Sequence, residues 1–320
     1  MNLKSIAAQQ DDFGETIYLV DSDYRTAAQG WSQSDRTGPL DLYTQRNQGR
    51  VYRTGDYGTD AAAMQAAIDA CVDFRGDKVL LTPGSYTPAT ALTLDAACMR
   101  LVGPPTRHPK SKVVTVTAGV DAAYTVSADD IEIGHHTMIP ITAKNFIDVA
   151  SGADRGYLHH LYYNATGITG STSTEFCSAA ASADWLTEKC VFYVDAAQGD
   201  AFTLVSPLRW TWQDCDFSVG ITAIAWASVF TWTTSALGLI MRRCTFNSDG
   251  GATQAVYTNI VTGIANLNGQ LFVHDCRING SGIGATAFET TFGTTTDIEY
   301  AENYYSGDAT TEGGVLMVLA

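Results

Sequence analysis

A chain of 320 residues with 45% apolar content can bury at least one sizeable core, which excludes a disordered protein. Its 19 basic residues against 34 acidic ones leave a formal charge of −15, so phosphate backbones and anionic membrane surfaces repel it, and neither nucleic acid nor membrane is expected as a partner. Seven cysteines are an odd number, with no Cys-x-x-Cys pair and no Cys/His cluster at zinc spacing; they read as free thiols buried during folding in a reducing cytoplasm, and no cofactor is implied.

The opening stretch MNLKSIAAQQDDFGET lacks the continuous apolar run of a secretory signal, so nothing in it directs export. Residues 1–50 are polar and carry isolated apolar anchors, among them Tyr18, Trp31 and Leu40, the pattern of an arm laid on its own or a partner's surface. In TDAAAMQAAIDACVDF, Thr59 or Asp60 can cap a first turn. Met64, Ala67, Ile68, Cys71 and Val72 then recur at three- and four-residue steps, which predicts a helix over about 60–72. From Lys78, KVLLTPGSYTPATALTLDAACMRLVGPP alternates short β-rich runs with the breakers Pro83-Gly84 and Gly103-Pro104. The remainder keeps that character and shows no second helical pattern. Short strands without intervening helices exclude a βαβ sheet and leave a sandwich, barrel, propeller or solenoid. Phe217 to Met241 carries no charged residue, yet hydroxyls from Thr222 to Ser235 interrupt it, so it reads as buried or interface strands and not as a membrane span.

Internal repetition chooses the solenoid. CDFSVGIT from Cys215, CTFNSDGG from Cys244, CRINGSGI from Cys276 and NYYSGDAT from Asn303 align, with Cys190 before them, at intervals of 25, 29, 32 and 27 residues. Intervals that vary in the loops but keep a fixed strand phrase predict parallel β-coils, each placing equivalent side chains about 4.8 Å above the last. The cysteines and the large apolar residues two places on, Phe217, Phe246, Ile278 and Tyr305, then point inward as two ladders without disulfides. Asn303 continues the cysteine column with an amide able to hydrogen-bond along it or at its end.

Asp56, Gly58 and Asp60, the helix AAAMQAAIDAC, GDKVLLTPGSY from Gly76 to Tyr86 and MRLVG ending at Gly103 together resemble the N-terminal module of pectate-lyase-like right-handed parallel β-helices, the fold of many bacteriophage tailspikes. The resemblance implies an all-β right-handed solenoid over 51–320, with the helix capping its open end, and an extended N-terminal arm over 1–50. It also implies a homotrimeric virion protein, folded in the host cytoplasm, whose arm attaches to phage capsid or tail proteins. With about 270 residues left for the solenoid, a non-enzymatic capsid decoration (cement) or short spike protein is expected. The alternatives are a polysaccharide-degrading tailspike and a spike that binds host surface glycan.

β-Helix proteins that cleave polysaccharide place carboxylates on the outward face of adjacent coils. The residue before each inward cysteine, or its equivalent, points out, giving the column Lys189, Asp214, Arg243, Asp275 and Glu302. Asp214 and Asp275, two rungs apart, would stand about 9–10 Å from each other, near the upper limit for an inverting glycosidase. Arg243 between them makes an ion-pair ladder the simpler reading, because it lowers both carboxyl pKa values where a general acid needs one raised. No catalytic residue is favoured; were the chain a glycoside hydrolase or polysaccharide lyase, its candidates would be Asp214, Asp216, Asp275 and Glu299. His135-His136 and His159-His160 offer one imidazole per pair, since adjacent strand residues face opposite sides, so no metal site is expected. Trp210, Trp212, Trp226, Phe230 and Trp232 crowd one region, as core or as subunit and ligand contacts; Trp212, three before Cys215, should face out unless a bend intervenes.

Overall fold

Short β-rich runs separated by long connections satisfy their backbone groups by pairing with the equivalent run one repeat away. The structure, a computed structural model, shows this arrangement. It describes residues 7–10, 16–19 and 50–306, except 58–60, 107–109, 120–121, 141–144, 167–175, 195–200, 220–225, 233–235, 249–256, 264–268 and 280–296. Among the described residues, successive coils build three parallel sheets of ten, nine and seven strands. The first sheet runs from Val51–Arg53 to Asp297–Ala301, the second from Gly84–Tyr86 to Tyr304–Ser306, and the third from Leu92–Leu94 to Tyr257–Gly263. The expected register is present: Phe192, Phe217, Phe246, Ile278 and Tyr305 fall on one line through the second sheet.

The helix spans Ala61–Asp69, shorter than expected, and buries Met64, Ala67 and Ile68 completely. Its Gln65 Oε1 accepts the Thr93 N–H at 3.0 Å, closing the first strand edge of the third sheet. Val72 is not helical because Asp77, fully buried, takes its N–H at 2.8 Å and that of Arg50 at 2.6 Å while pairing with Arg75. Near the N-terminus, Ala7–Gln10 pairs antiparallel with Thr16–Leu19; residues 20–49, most of the expected arm, lie outside the described residues.

Between the first and second sheets the chain turns on a single residue with left-handed backbone: His135, His160, Lys189, Asp214, Arg243, Asp275 and Glu302, with φ between 50° and 61°. A left-handed residue costs about 1–2 kcal/mol when it carries a Cβ. The ladder offsets that cost, since these N–H groups still donate to the coil above. Lys189 reaches Gln213 O at 3.0 Å, Asp214 reaches Arg242 O at 3.0 Å and Arg243 reaches His274 O at 3.0 Å. A second such corner joins the third sheet to the first at Cys98, Asp130, Arg155, Asp184 and Arg209.

One left-handed residue breaks strand alternation. In Thr211–Asp216, Trp212 faces in, Gln213 and Asp214 both face out, and Cys215 faces in again. The expected outward position of Trp212 is therefore corrected by the bend at Asp214, and its side chain is fully buried. Trp210, Phe230 and Trp232 are buried as well, so these four rings belong to the core and present no surface to a subunit or ligand; the Trp226 side chain lies outside the description.

The cysteine ladder and the described part of the aromatic one are present; the side chains of Ile278 and Tyr305 lie outside the description. Phe192, Phe217 and Phe246 stack face to face at 4.7 and 5.1 Å between centroids. Cys190, Cys215, Cys244 and Cys276 are buried free thiols, each donating to a backbone carbonyl two residues back. Asn303 ends the column as its amide chemistry allows: Oδ1 accepts the Cys276 N–H at 2.9 Å and Nδ2 donates to Val273 O at 2.8 Å.

Candidate functional site

The corner columns carry the outward charges. Lys189, Arg243, Asp275 and Glu302 are exposed and Asp214 is half-buried, as the spacing predicted. Arg243 grips Asp214 with Nε–Oδ1 2.7 Å and Nη2–Oδ2 3.0 Å, and this hydrogen-bonded pair holds the Asp214 carboxyl below its usual range. Lys189 pairs with its neighbour Glu188 at 2.9 Å instead of with Asp214. Asp216 accepts the Ser218 hydroxyl at 2.7 Å, and Glu299 stands 3.5 Å from His274. The four acid candidates thus lie on three different outward lines. Asp214 and Asp275 share the corner, Asp216 lies on the second sheet and Glu299 on the first.

The second corner holds a charge ladder that sequence reading missed. Arg155 bonds Asp129 at 2.7 Å and Asp130 at 2.8 Å, and Arg209 bonds Asp184 at 2.7 Å, each arginine reaching to the preceding coil. The Asp154 N–H, then Arg155, lowers the Asp129 carboxyl, and Arg209 lowers that of Asp184. The signal was present as an acid–base alternation at Asp130, Arg155, Asp184 and Arg209, but no cysteine marks that column.

A dense polar cluster lies at the first corner. Because alternation breaks there, His159 and His160 both face out, beside His135 of the coil below; the expectation of one imidazole per pair is corrected for this pair. His136 alone turns inward, where its Nδ1 and Nε2 lie 3.0 Å from Gly134 O and the Tyr124 hydroxyl. The His159 ring is fully buried and lies directly over Gly134, where a Cβ would come within 2.5 Å of it. Its Nε2 meets Glu132 Oε1 at 2.9 Å, its Nδ1 meets His160 Nδ1 at 3.1 Å, and its face stacks on Tyr157 at 4.4 Å. His135 stacks on His160 at 4.7 Å and meets His159 edge-on at 4.9 Å. Around them Tyr157 donates to Glu188 Oε2 at 2.6 Å, and Arg100 stands 3.3 Å from Glu132.

Burial, reinforced by the neighbouring imidazoles and lysines, holds His135 at about 3 and His160 at about 4, so both are neutral at neutral pH. Burial works to raise Glu132, but the His159 hydrogen bond, joined by the charges of Arg100 and Lys78, keeps it below its usual range. Glu188 is likewise lowered: burial opposes, and hydrogen bonds from Tyr157 and Lys189 prevail. Among the described residues, every carboxylate with a displaced pKa is displaced downward. Such groups accept hydrogen bonds and ion pairs but do not supply a proton at neutral pH. No described helix is long and apolar enough to cross a membrane.

No protein-family model matches the chain, and no curated protein matches it in sequence. Solved structures do match. A rhamnogalacturonan lyase superposes with a TM-score of 0.52 and 11% identity over 73% of this chain and 69% of that one. A pectin methyl esterase of the rice weevil gives 0.53 and 13% over 90% and 97%, and ybhc of Escherichia coli gives 0.53 and 13% over 95% and 98%. What the chain shares with them is the fold, a right-handed parallel β-helix.

Proposed function

We propose that the chain is a non-enzymatic structural protein of a bacteriophage virion, a homotrimeric capsid decoration or short spike whose residues 1–50 attach to capsid or tail proteins and whose β-helix projects from the particle. The observation that carries this reading is the state of the outward carboxylates. On a fold that polysaccharide enzymes share, a glycosidase requires a proton-donating acid with a raised pKa beside an ionised partner. Here Asp129, Asp184 and Asp214 are committed to arginines in corner ladders, and Glu132 and Glu188 are held ionised by histidine, tyrosine and lysine. The resemblance of the Gly55–Gly103 module to phage β-helix proteins supplies the virion setting.

The test is incubation of the purified chain with bacterial capsular polysaccharide, lipopolysaccharide and pectic polysaccharide, followed by sizing of the products. No oligosaccharide should be released, and light scattering should give about three times the 34.3 kDa chain mass. Release that disappears in Asp214→Asn or Asp275→Asn would establish the competing reading, a polysaccharide-degrading tailspike. Binding of a glycan without release would instead favour a receptor-recognition spike.

A further inference from the structure

We propose that His135, His159 and His160 form a binding site for one divalent transition-metal ion of the zinc class, which ties two consecutive coils together at the first corner. Their ligand nitrogens all lie within 4.8 Å of one another. Two imidazole nitrogens on a shared ion at 2.0–2.1 Å stand about 3.3 Å apart in tetrahedral geometry. The Nδ1 atoms of His159 and His160 are 3.1 Å apart, so this pair is already at ligand spacing, and rotation of the His135 ring brings in the third donor.

The proton inventory fits an ion. Glu132 Oε1 takes the His159 Nε2–H, which fixes that tautomer and leaves the His159 Nδ1 lone pair directed at His160. A carboxylate holding the far nitrogen of a ligating histidine is the usual outer arrangement of metal sites. In the metal-free cluster the His160 Nδ1–H donates to His159; with the ion bound, that proton moves to the other nitrogen of His160, and both lone pairs face the metal. The independent sign is His135: the residue is only 8% exposed, its ring sits against both others, and its Nδ1 is buried without a hydrogen-bond partner. A buried polar atom without a partner is costly in a native structure, and an ion in the cluster would relieve it.

Three imidazole donors suit zinc, cobalt, nickel or copper in preference to calcium or magnesium. Glu132 and Glu188 favour a cation here, whereas Lys112, Lys78 and Lys189 oppose it. The site should therefore hold its ion more weakly than a four-ligand structural zinc centre.

The experiment is a cobalt(II) titration of the chelator-treated full chain, followed by visible absorption. One equivalent should give the bands of a tetrahedral ion, and zinc(II) should displace it. His135→Gln and His160→Gln should each weaken cobalt binding at least tenfold, while His274→Gln leaves it unchanged. For a readout that needs no variant, cobalt should protect His160 of the wild-type chain from acylation by diethyl pyrocarbonate. Absence of cobalt uptake, uptake that both glutamine variants retain, or an unprotected His160 would each overturn the site.

Discussion

At Gly134 the polypeptide makes room for an aromatic ring. An alanine there would put its Cβ 2.5 Å from His159, and at Gly156 it would lie 2.4 Å from the Trp185 ring. Neither ring can yield freely, because His159 is hydrogen-bonded to Glu132 and the indole of Trp185 donates to Ala153 O at 2.8 Å. Gly134→Ala is expected to destabilise the fold by roughly 1–3 kcal/mol in urea unfolding, the usual cost of overpacking. Thiol chemistry tests the cysteine column. Cys177, Cys190, Cys215, Cys244 and Cys276 are buried, and desolvation pushes Cys215 and Cys244 well above the ordinary thiol value. Cys71 and Cys98, both half-buried, should react with a thiol reagent in the native protein ahead of the other five, though slowly, because burial raises both thiols, Cys71 to about 12; all seven should react after denaturation, and reductant should leave Tm unchanged. The column was legible because Cys-x-Phe recurs as a phrase. The glycines beneath His159 and Trp185 were not, because a glycine that accommodates a ring one coil away carries no local signal of it.

Each coil is a set of three short strands and two sharp corners, and its stability resides in contacts with the coils above and below. Phe217 lies between Phe192 and Phe246 and is fully buried, so Phe217→Ala removes both stacks and leaves a cavity. A loss of about 3–5 kcal/mol is expected in denaturant unfolding. The inward His136 sets a pH dependence: burial, the largest influence on it, holds it at about 4, well below the unfolded value of 6.5. Between those values the unfolded chain binds a proton that the folded chain excludes, so stability is full above about pH 6.5 and falls as pH drops toward 4. The shift corresponds to roughly 3 kcal/mol, and His135 and His160, also depressed, add in the same direction. Urea unfolding at pH 7 and pH 5 should show the loss, and His136→Gln should reduce the slope. The corners explain where sequence reading failed. Left-handed residues are usually marked by glycine or asparagine, yet the first corner uses His, Lys, Asp, Arg and Glu, which carry no such mark. Unbroken alternation through Asp214 and His160 therefore predicts an outward Trp212 and separates two histidines that the bend places side by side.

The whole molecule is a solenoid with a helix closing the first strand edge of its third sheet and a polar, ion-paired exterior. Its N-terminal module and its cysteine repeat made that architecture readable, since parallel coils impose the same side chain at the same height in every turn. Function was less readable, because outward positions are free of packing constraint and each charge must be judged by the partner it meets. The structure supplies those partners, and they are arginines, a histidine, a tyrosine and a lysine that keep the carboxylates ionised. Such an exterior is the one that the proposed virion role would use. The most direct test of this account is quantitative mass spectrometry of the purified phage particle using isotope-labelled peptides of this chain. The account predicts a stoichiometric component of the virion, in trimer multiples; absence of the chain from the particle would contradict it.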